Sequence, residues 1–381
     1  MLSITQLDVS SQQSIGKRHL AWLDSLRAVA ALYVMMSHIL LTIWPNPSNF
    51  HGLTFVLAGP YRYGHYAVGL FIVLSGFSLM LPISRNDGVL RGGAVRFFGR
   101  RAKRILPTYY SALVLSLLAI HFLIGTKTST HWDISLPVTT VGLWSHLLML
   151  QDIFSSAQIN HAFWSISVEW RIYFLFPLLV VLFGKWGGIR VSSGMVVFSV
   201  LMYSLLRGTV WIGITPAYYA LFTFGMLACE ISFGHKPWLC KVRDQISWLG
   251  IMSPLFIAFL ALLYKWRSDT SPLHIFLMDI LNGLVCAILL IVLSRQVPNR
   301  FQELLSWKPL VLVGTFAYSI YLIHAPLIQI IWQYGLHPLH QGPLATYLLM
   351  VFIGIPITVG LAFLFFLAFE RPFLNTKIAR K

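Results

Sequence analysis

The 381 residues are 57% apolar and only 10% charged, against about 25% charged in an ordinary globular domain. Too little charge is present to coat a water-exposed surface, which excludes an ordinary soluble protein. The chain carries 28 Lys and Arg against 12 Asp and Glu, a net charge of +16. That balance would suggest nucleic acid in a soluble chain, but the mean hydropathy is +0.73 and apolar runs of about 20 residues recur. The predicted class is therefore an all-α, polytopic integral membrane protein with no nucleic-acid partner, its positive charge set by topology. Cys229, Cys240 and Cys286 have neither paired nor ligand-type spacing, so no disulfide framework or metal site is expected from them.

In chain order, residues 1–19 form a Ser- and Gln-rich polar tail without an apolar core, so no separate signal peptide is expected. Ten spans follow, at roughly 20–44, 65–84, 105–125, 163–184, 192–211, 215–233, 246–264, 274–294, 311–333 and 344–369. With an even number, both termini lie on one side. If that side is cytoplasmic, its tails and loops hold 21 basic residues and the opposite loops hold five, leaving only Arg27 and Arg171 inside spans. This asymmetry predicts a multi-pass cell-membrane protein with both termini cytoplasmic. Between spans three and four, Val141–Leu150 is too short to cross and is expected to lie along the interface or re-enter.

Charges that topology does not explain mark candidate sites, since each costs at least ~2.5 kcal/mol near the bilayer centre. The first span contains Asp24, Arg27 and His38 in LDSLRAVAALYVMMSH. Eleven residues bring Arg27 and His38 to within ~20° on one helix face, ~16 Å apart. Arg27 either snorkels beside Asp24 or binds a ligand, and His38 either packs or reacts; their shared face favours function for both. Before span three, RFFGRRAKRILPTYY places Arg101 and Arg104 on one face, suited to bidentate phosphate recognition or to anchoring on anionic lipid. In FWSISVEWRIYFLFP, Glu169 is a buried carboxylate that either pairs with an arginine or polarises a histidine. Ser75 and Gly76, in GLFIVLSGF, fit close helix packing better than a nucleophile. His324, in AYSIYLIHAPL, stands equally as packing or function. Glu370 and Arg371 are expected to pair, and His337 with His340 lack further ligand-type neighbours.

These blocks, in this order, resemble the acyltransferase 3 family of integral membrane O-acyltransferases, from about Leu23 to Pro372. The resemblance implies a ten-helix transmembrane domain, taken as 20–372 between tails 1–19 and 373–381, that carries an acyl group, commonly acetyl, from acyl-CoA to a hydroxyl of a glycan or secondary metabolite. It places the family's arginine-to-histidine motif on Arg27 and His38, its paired arginines on Arg101 and Arg104, its tryptophan-to-glutamate block on Trp164 and Glu169, and its serine-glycine-phenylalanine motif with a later arginine on Ser75, Gly76, Phe77 and Arg85. Trp170 and Arg171 depart from it, since many relatives have a second acid and a glutamine there. The fused extracytoplasmic esterase-like domain of some relatives is not expected.

Residues and resemblance together give one expectation. Arg101 and Arg104, with Arg27 and Arg85, hold acyl-CoA, a donor substrate and not a resident cofactor. His38, with Glu169 behind it, acts as general base on the acceptor hydroxyl, and Asp24, Ser75, Gly76, Trp164 and His324 support the site. An acyl-enzyme on His38 or Ser75 stays open. A transporter or flippase with a charged substrate path is the alternative, and a membrane scaffold is a third reading.

Overall fold

The computed structural model describes residues 20–45, 52–85, 88–154, 158–267, 271–295 and 300–374. The predicted polar tail 1–19 and most of the basic tail 373–381 lie outside them. In chain order the main helices are α1 Ala21–Ile43, α2 Gly52–Ser84, α3 Gly93–Ile124, the short α4 Thr140–Leu147, α5 His161–Trp186, α6 Gly188–Leu206, α7 Val210–Phe233, α8 Trp248–Lys265, α9 Pro272–Leu293, the bent pair α10 Lys308–Thr315 and α11 Ala317–Leu339, and α12 Pro343–Phe373. Among the described residues, nine are long and apolar enough to cross a membrane, and the bent pair raises the number to ten. No strand occurs among the described residues. The chain is an all-α multi-pass membrane protein.

Two boundaries differ from the hydropathy pattern for physical reasons. Helix α3 starts at Gly93, twelve residues before the apolar run, because Arg and Lys are good helix formers and extend its first turns. The ninth span is broken: α10 and α11 meet at 74°, around Phe316, whose φ of −121° and ψ of 22° interrupt the helix. Val141–Leu150 forms α4 and its exit turn. Thr139 Oγ1 caps α4 by accepting from Gly142 N at 3.0 Å, and Tyr109 and Tyr110 donate their hydroxyls to the His146 and Leu147 carbonyls.

Lipid offers helices no hydrophobic gain from packing, so small residues that admit close approach decide which of them meet. Helix α7 is the most enclosed and packs most extensively on α2. At their crossing a Cβ on Gly76 would lie 2.0 Å from the Phe222 carbonyl oxygen, and one on Gly225 would lie 2.0 Å from that of Val73. Ala28, Ala30 and Ala31 are buried on α1, which packs against α2, α10 and α11. Helices α6 and α8 sit at the periphery with most of their surface outward. This arrangement gathers α1, α2, α3, α5 and α11 around one internal space.

Candidate active site

That space is a cavity of about 230 Å³. Helix directions order its lining. Arg27 from α1, Ser78 from α2, Arg101 and Arg104 from α3, and Tyr318 from α11 form one end. Ser75, Glu169 and Tyr173 form the middle, and Val68, Phe71, Ser165 and Tyr321 close the far end. Ten residues along α2 separate Val68 from Ser78, so the cavity runs for ~15 Å. Arg27 donates through Nη1 to Asp24 Oδ1 at 2.6 Å and through Nη2 to Ser78 Oγ at 2.7 Å. It is thus fixed by its own helix and the next one. Arg101 approaches the Phe97 ring at 6.0 Å. In the middle, Tyr173 donates to Glu169 Oε1 at 2.5 Å, which leaves its oxygen to accept from Ser75 Oγ at 3.0 Å. A serine, a tyrosine and a carboxylate therefore form one directed chain.

The far wall is polar. Ser165 Oγ and the Tyr321 hydroxyl are 2.6 Å apart, with Phe71 edge-on to Tyr321 at 5.7 Å. Behind it stand four histidines. His324 Nδ1 lies 2.7 Å from the Tyr321 carbonyl oxygen and 3.1 Å from that of Ile320. A carbonyl only accepts, so in the neutral ring Nδ1 carries the hydrogen and Nε2 holds a lone pair. His38 Nδ1 lies 2.7 Å from that Nε2; it must donate, which leaves His38 Nε2 unprotonated. The rings of His38 and His324 stack at 4.9 Å and 6°. His161 meets His38 edge-on at 4.7 Å, and His131 lies 4.7 Å from His161 and 5.9 Å from His38.

Local chemistry places these two additional rings. Asn160 Oδ1 caps the first turn of α5 by accepting from Ala162 N at 3.1 Å, and its Nδ2 donates to the Leu322 carbonyl at 3.0 Å, which pins His161 beside α11. The loop that carries His131 is anchored by Asp133, which accepts from the Thr128 and Ser129 amides at 2.9 Å, and by Thr130 Oγ1 on Gln329 Oε1 at 3.0 Å. Burial lowers the pKa of His131. The Asn-His pair before the tryptophan block carried a helix-cap signal, but nothing in the spacing tied His131 or His161 to His38.

Of the candidates, the structure brings Arg27, Arg101, Arg104, Ser75 and Glu169 to the cavity lining, holds Asp24 against Arg27, and sets His38 with His324 behind the far wall. The group behind His38 is His324, while Glu169 is held by Tyr173. Arg85 lies elsewhere, its guanidinium 5.2 Å from the centre of the Phe233 ring. Gly76 serves the α2–α7 crossing. Trp164 packs outside the cavity lining, stacked on His65 at 5.7 Å, whose Nε2 is 2.8 Å from Asp279 Oδ1. Arg171 pairs through Nη1 with Asp152 Oδ1 at 2.8 Å, and its Nη2 also meets Asp152 Oδ2. Burial raises the pKa of Asp152 although Arg171 opposes it. Glu370 is buried and accepts from Ser319 Oγ at 2.5 Å, so its partner is on α11 and not Arg371, because the end of α12 turns the carboxylate inward. His337 and His340 lie 6.3 Å apart in their loop.

The family model described as an acyltransferase domain matches residues 20–367. A protein of Staphylococcus aureus strain COL with the provisional name O-acetyltransferase SACOL0978 is 25% identical over 93% of this chain and 57% of its own length. O-acetyltransferase OatA of Staphylococcus aureus strain NCTC 8325 is 24% identical over 89% of this chain and 55% of its own. The chain thus spans little more than half the length of these curated relatives. No solved structure matches it. The five sequence blocks, the arginine-ended cavity between five membrane helices and the match over nearly the whole chain lead to one assignment: the chain belongs to the acyltransferase 3 family of multi-pass membrane proteins.

Proposed function

We propose that the protein is an integral membrane O-acyltransferase that moves an acyl group, acetyl foremost, from acyl-CoA to a hydroxyl of a cell-surface glycan, another carbohydrate or a secondary metabolite. The observation that carries this reading is the ~15 Å cavity. It joins three arginines from two helices at one end to a wall backed by an oriented histidine pair at the other. The basic-residue asymmetry of the loops supports an arginine end at the cytoplasmic face, with both termini there. Arg27, Arg101 and Arg104 bind the donor's phosphates through charge-assisted hydrogen bonds. The pantetheine arm lies along the cavity, and its thioester passes the Ser165–Tyr321 bond to reach the histidines.

His38 Nε2 then takes the proton of the acceptor hydroxyl as its oxygen attacks the thioester carbonyl. A C–O bond forms, the C–S bond breaks, and the departing sulfur takes up the proton, releasing free CoA and the O-acyl product. His324 is a positioning residue: it holds the tautomer that leaves Nε2 basic. The Ser75–Tyr173–Glu169 chain lies along the arm's route and supplies hydrogen bonds to its amides.

The test is release of free thiol from acetyl-CoA by purified protein in the presence of membranes as an acceptor source. Transfer of label to the membranes with thiol release, both lost in His38→Ala, supports the reading. A protein that binds acetyl-CoA and carries it or a sugar across vesicles intact is a transporter, and the proposal fails.

A further inference from the structure

Three of the four clustered histidines offer more than a base. One ring nitrogen from each of His38, His131 and His161 lies within 4.8 Å of the others. They come from three separate elements: α1, the loop before α4, and the start of α5. His38 has only Nε2 left to give, because its Nδ1 donates to His324. His161 Nδ1 faces Ser135 Oγ at 3.4 Å, while its Nε2 is buried with no hydrogen-bond partner among the described residues. A buried imidazole nitrogen without a protein partner costs free energy unless a ligand meets it.

We propose that His38, His131 and His161 form a binding site for a divalent transition metal of the zinc and cobalt class, with three imidazole ligands and an open fourth position. Three neutral nitrogens suit such ions and not magnesium or calcium, which take oxygen. Tetrahedral Zn–N bonds of about 2.1 Å set ligand nitrogens ~3.4 Å apart. Ligand nitrogens within 4.8 Å of one another close to that by ~1 Å of side-chain adjustment. His324 completes the arrangement by accepting the Nδ1 hydrogen of His38, the usual means of aiming a ligating imidazole.

Metal at this site occupies the same His38 lone pair that deprotonates the acceptor. Zinc therefore silences transfer, and removing it restores the base. Metal binding stands on the geometry alone, whereas its effect on transfer rests on His38 being the base.

The experiment uses the whole protein in detergent, stripped with a chelator and titrated with zinc chloride against a chromophoric competitor, with no substrate present. The expected result is one saturable zinc per chain, weakened by more than about tenfold in His131→Ala, His131→Gln and His161→Ala, and visible cobalt(II) bands typical of a tetrahedral nitrogen-rich site. Acetyl transfer falls over the same zinc range and recovers with chelator. His131→Gln shifts the zinc range of whatever transfer remains by the same factor as its binding. Absence of saturable zinc binding to the wild-type protein, or equal affinity in all variants, overturns the site. Zinc that binds but leaves transfer unchanged or raises it overturns the competition. Loss of transfer in metal-free His38→Ala reports on the base separately, so the two failures are distinguishable.

Discussion

Replacing His324 with phenylalanine keeps an aromatic ring against His38 and removes the acceptor of its Nδ1 hydrogen. The His38 Nδ1 hydrogen, 2.7 Å from His324 Nε2 in the native protein, is then left unsatisfied inside the membrane domain, at a cost of about 1–3 kcal/mol. The ring relieves that cost by turning over or by moving the hydrogen to Nε2, and in either case the lone pair no longer faces the acceptor. Since ~1.4 kcal/mol is tenfold, kcat should drop by about 5- to 150-fold, short of the ~10²- to 10⁴-fold loss expected for His38→Ala. His324 is not part of the cavity lining, so KM for acetyl-CoA should hold. His324→Gln, which retains an acceptor oxygen, should recover part of the loss. The double variant His38→Ala/His324→Phe should be no slower than His38→Ala alone, because His324 acts only through His38. Steady-state thiol release measures all four. A His324→Phe enzyme at the wild-type kcat, or a double variant slower by the product of the single losses, would refute the positioning role.

Arg101→Ala combined with Arg104→Ala should raise the dissociation constant for acetyl-CoA by more than about tenfold and flatten its dependence on salt, read by equilibrium binding at two ionic strengths; unchanged affinity would remove the phosphate assignment. His146 is buried, with Nδ1 donating to the Gly142 carbonyl at 2.7 Å, and burial lowers its pKa to about 4 from 6.5. The unfolded chain takes up the proton first as pH falls, so this contribution to stability is whole above pH 6.5, declines from there towards pH 4 and then levels off. The melting temperature should fall across that window, and His146→Gln should flatten the fall; an unaltered profile would exclude this ring as its source. Gly76→Leu, which forces a side chain against the Phe222 carbonyl, should cost ~1–3 kcal/mol or more and broaden the size-exclusion peak of the detergent-solubilised protein. A monodisperse variant of native melting temperature would mean that α2 and α7 do not cross so closely.

The amino-acid sequence alone determined the membrane class, the number of spans to within the one broken pair, and the candidates Arg27, His38, Arg101 and Arg104. Each of those signals is local: hydropathy over one helix length, eleven residues along one face, or a basic cluster ahead of a span. Tertiary structure decided who meets whom. It set His324 and not Glu169 behind His38, drew Glu169 to Tyr173, took Arg85 to Phe233 and turned Glu370 to Ser319. It also collected His131 and His161 beside His38 from segments about 90 and 120 residues away. Such contacts arise from which helices pack together, and small residues such as Gly76 and Gly225, together with the bend at Phe316, govern that packing across the bilayer. Hydropathy and spacing along the chain carry no record of those crossings, so the site's partners emerge only when the bundle closes.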